Sequence, residues 1–158
     1  MAADDTTTLE ADGVRVVFFR REDRHAHRIE TMNETRFEWD PVCESQEGSP
    51  ADVWPPSPPF QQLHVEERAT GRVVLLIGMA GRTHWSAAVE VAPDRKSIRF
   101  DVAARVQVAP QRLGSEYQDA REEGIVAEPC ILFGTQTPQL PGEVPATVAW
   151  QYYVSRRS

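Results

Sequence analysis

Hydrophobic and polar residues alternate most regularly between positions 60 and 108, and this stretch predicts four antiparallel strands. The strands are expected at residues 60–69, 72–80, 83–92 and 97–108. The separating segments, Thr70-Gly71, Gly81-Arg82 and residues 93–96, have the length and composition of hairpin loops. Because cross-strand partners share a face of the sheet, these loops predict which side chains meet.

One face of this predicted sheet collects apolar side chains and is expected to cover the core. It contains Leu63, Val65, Val74, Leu76, Trp85, Ala87, Val89, Ile98, Phe100, Val102 and Val106. The same register places Gly78 opposite Trp85, so that the indole can lie over a residue without a side chain. On the other face it places Glu90 beside Arg99, a pair of opposite charge.

The opposite face is unusually apolar for a sheet surface that should meet water. Its apolar and small members are Leu75, Ile77, Met79, Ser86, Ala88 and Ala103. Charged and imidazole side chains surround them: His64, Glu66, His84, Glu90, Arg99, Asp101 and Arg105. An apolar stripe with a charged rim is typical of a covered surface. We expect a second layer of the domain, a partner subunit or a small ligand to cover it.

A further hairpin is predicted from residues 13–20 and 25–39 across a loop at 21–24. Its apolar face contains Val14, Val16, Phe18, His27, Ile29 and Thr31, and Phe37 and Trp39 are expected to continue it. Arg15 should pair with Glu30 on the other face. We expect this hairpin in a second sheet or at the far edge of the first.

The remaining segments are less regular. Residues 1–12 are acidic and Thr-rich and predict a disordered tail. Residues 41–59 contain many prolines and predict an ordered strap across the sheet, anchored by Trp54. A short surface helix is expected within 110–124, an edge strand at 126–133, a loop at 135–145 and a closing strand at 146–155.

Together these patterns predict an all-β, mainly antiparallel fold. With 158 residues, 41% of them hydrophobic, the chain suits one domain with its own core. We expect a single-domain β-sandwich or partly open barrel over residues 13–158, with about seven to eight strands and at most one or two short helices.

Composition limits the kinds of partner and the cellular location that we expect for the chain. A net charge of -7 and dispersed arginines argue against nucleic acid. Two cysteines, Cys43 and Cys130, are too few for a disulfide framework. The N-terminus does not resemble a secretory signal, and no window is apolar enough for a membrane helix, so a cytoplasmic location without membrane contact is expected.

His25 and His27 are the candidate metal ligands, because two histidines two residues apart on a strand point the same way. Against this, the register places His27 opposite Phe18 on the apolar face, where a lone imidazole is usually a packed core residue. No cofactor is therefore expected, and a divalent metal is the alternative.

Two further clusters carry candidate chemistry. Ser86 with His64 or His84 as base and Asp101 as the orienting group has the composition of a catalytic triad, but strand geometry separates these residues. His84 beside Arg105 could bind an anionic group.

These observations favour a non-enzymatic interaction or assembly module that uses the face around Ile77, with a homodimer as the simplest assembly. The alternative is a β-barrel or cup that binds a small apolar or anionic molecule on the same face. A metal-dependent or hydrolytic enzyme is the least favoured hypothesis.

Overall fold

The computed structural model describes residues 6–120 and 130–156. Within these residues the chain forms eleven strands and no helix. They are β1 (Thr7–Ala11), β2 (Val14–Arg21), β3 (Arg24–Asn33), β4 (Glu38–Ser45), β5 (Gln62–Arg68), β6 (Gly71–Ala80), β7 (Thr83–Val91), β8 (Ser97–Val106), β9 (Tyr117–Asp119), β10 (Cys130–Gly134) and β11 (Ala146–Arg156).

The strands form two antiparallel sheets that pack as a β-sandwich, as the alternation pattern predicts. One sheet has the order β1-β2-β3-β4-β9, and the other has the order β10-β11-β8-β7-β6-β5. The described strands outnumber the seven to eight expected, because β1, β4 and β9 were not predicted as separate strands.

The predicted hairpins of the six-stranded sheet form, with one change of register. Gly81-Arg82 and residues 93–96 are the loops, and Gly78 pairs with Trp85 as expected. The β5–β6 loop is instead Ala69-Thr70, because Gly71 takes φ 128° as the last paired residue. A shift of two residues leaves every side chain on its predicted face.

The five-stranded sheet contains the predicted β2–β3 hairpin, with Phe18 opposite His27 and Arg15 opposite Glu30. The expected disordered tail is wrong for residues 7–11, which form β1 against β2. Leu9 explains the difference, because its side chain is buried in the core opposite Val16.

The single long strand expected at 25–39 is instead two strands. β3 ends at Asn33, whose side-chain oxygen accepts hydrogen bonds from the backbone N–H groups of Thr35 and Arg36. The chain then reverses, which leaves Phe37 82% exposed instead of on the apolar face. β4 pairs with β3, and the ladder is irregular near Pro41. The first residues of the expected strap, from Pro41 to Ser45, are therefore part of β4.

The rest of the Pro-rich segment runs from the end of β4 to β5. Trp54 anchors it by an edge-to-face contact with Trp85, with ring centroids 6.4 Å apart. The strap then reaches the interior, where the backbone N–H of His25 donates to the carbonyl oxygen of Phe60 at 2.7 Å. The strap therefore joins the two sheets at one end of the sandwich.

The C-terminal third differs from expectation over residues 110–120. No helix forms there: the chain is extended, and β9 pairs with β4. The remainder of the expected helix and the first half of the expected edge strand lie outside the described residues. β10 pairs with the closing strand β11, which buries Trp150, Tyr152 and Val154 as the alternation predicts.

Candidate functional site

The outer face of the six-stranded sheet collects the predicted site residues. We call it the trough face. It consists of Gln62, His64, Leu75, Ile77, Met79, His84, Ser86, Ala88, Asp101, Ala103, Arg105, Thr147, Ala149 and Gln151. The ladder brings the ten sequence-predicted ligand or interface residues together on one surface. Among the described residues, no second layer covers Ile77 or Met79, which stay 53% and 49% exposed.

The trough face has a ridge and depressions because adjacent strands carry side chains of different size. Leu75, Ile77 and Met79 project from β6 as an apolar ridge. In the row of Ile77, β5 carries Gln62, whereas the strands on the other side carry only small residues. They are Ser86 on β7, Ala103 on β8 and Ala149 on β11. Two open depressions of about 440 Å³ and 720 Å³ result, both beside Ile77.

One end of the trough is cationic. His84 pairs with Arg105 across β7 and β8, and both side chains are exposed. The Arg105 Nη1 donates a hydrogen bond to the Thr147 hydroxyl at 3.2 Å. Within the described part of the chain, neither His84 nor Arg105 pairs with a carboxylate. The smaller depression is lined by both of them together with Ile77 and Met79.

The opposite side of the trough carries charges of both signs. The Gln151 side chain donates a hydrogen bond to Asp101, which also lies 3.2 Å from Nε of Arg99. Arg99 is ion-paired with Glu90, as the register predicts. Asp101 therefore belongs to this network and does not contact the His84 and Arg105 pair.

At the rim on β5, His64 is opposite Leu75. The loop expected at Thr70-Gly71 would have placed it opposite Ile77, and the two-residue shift of the β5–β6 ladder accounts for the difference. Glu66 lies two positions along on the same face and accepts a hydrogen bond from Arg68 at 3.0 Å. That bond, and the charge of Arg68, lower the pKa of the Glu66 carboxyl, which keeps it ionised.

The trough face does not assemble a nucleophilic triad. Ser86 pairs with Ile77 on one side and Ala103 on the other, so its cross-strand neighbours hold no proton acceptor. His84 lies two residues along the same strand, about 7 Å away by strand rise. No hydrogen bond joins Ser86 to a histidine or to Asp101 in the described residues.

His27 holds a different position from the one a metal ligand needs. It is buried between the sheets, and its Nε2 forms a 2.7 Å hydrogen bond with the hydroxyl of Tyr117. Burial lowers the pKa of His27 to about 3, so the imidazole is neutral. His25 lies nearby, but the described residues contain no group of three His, Cys, Asp or Glu side chains that could hold a metal ion.

A buried polar chain continues from His27 through the sandwich. The Tyr117 hydroxyl is also 2.7 Å from the hydroxyl of Tyr152. Burial raises the pKa of Tyr152 to about 12. Trp150 donates from Nε1 to the hydroxyl of Ser115 at 3.0 Å. This network could not be predicted from the sequence, because β9 contributes Tyr117 from a polar stretch without periodicity.

A small void of about 10 Å³ adjoins the network and is close to the least space that holds a single water molecule. Ser45 lies on its wall, accepts a hydrogen bond from the backbone N–H of His27 and donates one to Glu47. Burial raises the pKa of the Glu47 carboxyl, although the Ser45 hydroxyl and nearby arginines oppose the shift. The void is too small to bind an organic ligand.

No helix among the described residues is long and apolar enough to cross a membrane. Comparison of the chain with protein-family models, with curated proteins and with solved structures finds no match.

Proposed function

We propose that this chain is a non-enzymatic interaction and assembly module that binds a protein surface on the trough face. The exposed Ile77 and Met79, beside a floor of small side chains, carry the proposal. Burying their exposed halves would stabilise a complex by about 1 kcal/mol each. A partner that fills the trough would add the contacts of Ser86 and Ala103.

The surroundings of the apolar ridge support a protein partner. A protein interface has an apolar centre and a polar, partly wet rim. The ridge has His64 and Glu66 on one side and Asp101 on the other. The depressions are open instead of enclosed, which suits a broad contact better than a deeply bound small molecule.

A photo-cross-linking amino acid at position 77 tests the proposal directly. Expressed in its native cells and irradiated, the Ile77 variant should form a covalent adduct with a protein, and mass spectrometry should map the attachment to the trough face. Phe37 offers a matched control, because it is an exposed apolar residue on a turn away from this face. Equal protein adducts from positions 77 and 37 would contradict a docking role for the trough face.

A second candidate is the binding of a small amphipathic anion at the cationic end of the trough. Arg105 and His84 would hold a carboxylate while Ile77 and Met79 cover an apolar tail. Titration with decanoate by calorimetry tests this function, with Arg105→Gln as the variant that should lose binding. An equal response of wild type and Arg105→Gln would contradict it.

As part of the same proposal we place the module in the cytoplasm. Cys43 is a buried thiol in the core, and the composition is acidic with few cysteines. Fractionation of the native cells tests this location. Recovery of the chain in a secreted or membrane fraction would contradict it.

A further inference from the structure

The ridge and the trough of the trough face lie side by side on the same sheet. Ile77 projects from β6, whereas Ser86, its neighbour on β7, leaves space above the sheet. Leu75 has the same relation to Ala88. A surface with a ridge next to a groove fits a second copy of itself when each ridge meets the groove of the other copy.

We propose that the partner on the trough face is a second copy of this chain, related by a two-fold axis parallel to the strands and above the boundary between β6 and β7. This inference rests on the docking role proposed above. The half-turn places β6 of each copy over β7 of the other, and β5 over β8. Ile77 then lies over Ser86 of the second copy, and Leu75 over Ala88.

The same half-turn sets complementary polar groups against each other. His64 on β5 and Asp101 on β8 occupy the same row of the ladder. The half-turn therefore places His64 of each copy over Asp101 of the other copy. Glu66 and Arg99 occupy another row and meet in the same way. The shape match and the charge match therefore indicate the same axis.

The twist of the sheet is compatible with this arrangement. Strands in a sheet rotate progressively, so the trough face is a saddle and not a plane. A half-turn about an axis parallel to the strands turns such a saddle into one of the same hand. The gap between the two copies is therefore even across the contact, near the usual sheet packing distance of about 10 Å.

The size of the contact also suits a dimer. Four strands span about 19 Å across the sheet, and ten residues of strand extend about 33 Å. The facing area is on the order of 600 Å² before the relief of the side chains is included, close to the roughly 800 Å² per partner of a stable interface. Residues of β11 would remain outside the contact, because β5 ends the sheet on the other side.

Charge reversal at one pair provides the test. His64→Glu places a glutamate against Asp101 of the second copy, and Asp101→Lys places a lysine against His64. Each homodimer should weaken by on the order of tenfold or more, because both symmetric contacts become unfavourable or lose their attraction. An equimolar mixture of the two variants should instead dimerise. In the mixed dimer the introduced glutamate meets the introduced lysine, and the unchanged His64 of one copy meets the unchanged Asp101 of the other.

Sedimentation velocity measures all four samples, and circular dichroism checks that each variant is folded. In a dilution series, each variant should dissociate at a concentration about tenfold or more above the one at which the wild type dissociates, and the mixture should dissociate like the wild type. Glu38→Lys on the other sheet is a control that should remain dimeric, because its exposed side chain lies away from the trough face.

Three results would overturn the inference. The first is a monomeric wild type at about 100 µM, well above the Kd of a standard-size interface. The second is that both variants dimerise as tightly as the wild type. The third is a mixture of folded variants that dimerises no more tightly than the variants alone. A monomeric wild type whose position 77 still cross-links to another protein would leave the docking role standing and reject only the second copy. A dimer that Ile77→Asp does not weaken would reject the docking role as well.

Discussion

The carbonyl oxygen of Pro59 lies against the Cα of Gly78, on the inner face of the six-stranded sheet. A Cβ at position 78 would overlap that oxygen and would come within 2.8 Å of the Cα of Phe60. The strap backbone therefore occupies the space that sequence analysis assigned to the indole of Trp85. Trp85 is the cross-strand partner of Gly78, but the close approach is made by the strap.

Gly78→Ala should destabilise the fold, because the methyl group meets backbone that cannot rotate away. Overpacking of this kind costs about 1 to 3 kcal/mol, and Gly78→Val should cost more. Urea unfolding of both variants measures the effect. Gly142→Ala is the matched control, since nothing lies within 4 Å of a Cβ there, and it should stay within about 0.5 kcal/mol of wild type. A wild-type stability for Gly78→Ala would mean that the strap does not pack on β6.

Ser86→Ala should leave the stability within about 1 kcal/mol of wild type. The hydroxyl lies in the trough between Ile77 and Ala103, and no described residue forms a hydrogen bond with it. Its removal therefore leaves no other described group without a hydrogen-bond partner. Thermal unfolding checks this expectation. A loss of several kcal/mol would show that Ser86 has a structural partner outside the described residues.

The parts of the fold that followed from sequence were those with local rules. Side-chain alternation and short turns determine faces within a hairpin, and this is why Gly78 opposite Trp85 and Arg15 opposite Glu30 were both correct. The β5–β6 register was wrong by two residues because Gly71 can serve either as a loop residue or as a paired one.

Contacts between distant segments could not be predicted in the same way. β9 is three residues long, and its pairing with β4 depends on a partner more than 70 positions away along the chain. Tyr117 consequently looked like an isolated aromatic residue in a polar stretch. The strap over Gly78 has the same origin, since proline content predicts an extended segment but not where that segment lies.

Tyr117→Phe should destabilise the core although it removes only one oxygen. The Tyr117 hydroxyl lies 2.7 Å from both His27 Nε2 and the Tyr152 hydroxyl. Without it, the buried imidazole of His27 and the buried hydroxyl of Tyr152 each lose one hydrogen-bond partner. We expect a cost of about 1 to 3 kcal/mol in urea unfolding.

Tyr153→Phe is the control for that substitution. Its hydroxyl contacts the side chains of Gln151 and Arg99 on the outer face, where water can replace it, so its removal should change stability by no more than about 0.5 kcal/mol. Equal effects of the Tyr117 and Tyr153 variants would contradict the buried network.

The stability of the protein should fall as the pH decreases from 7.5 to 5, because His27 is buried in its neutral form. Its pKa is about 3 in the folded state and near 6.5 in the unfolded chain. Below pH 6.5 the unfolded chain therefore binds a proton that the folded state does not bind, and stability is lost until the pH approaches 3. The expected loss from His27 alone between pH 7.5 and 5 is about 2 kcal/mol.

His27→Gln isolates this contribution, because an amide can bond to Tyr117 but does not titrate. Glu47 titrates with the opposite sign, since burial raises its folded pKa and its protonation favours the folded state as the pH falls. The Glu47 contribution is common to both proteins, so it cancels in the difference between wild type and His27→Gln.

The difference in unfolding free energy between wild type and His27→Gln, measured by urea unfolding at pH 7.5, 6.5, 5.5 and 5, should shift towards the variant by about 2 kcal/mol across the range. Parallel curves for wild type and His27→Gln would show that His27 does not remain neutral in the folded core.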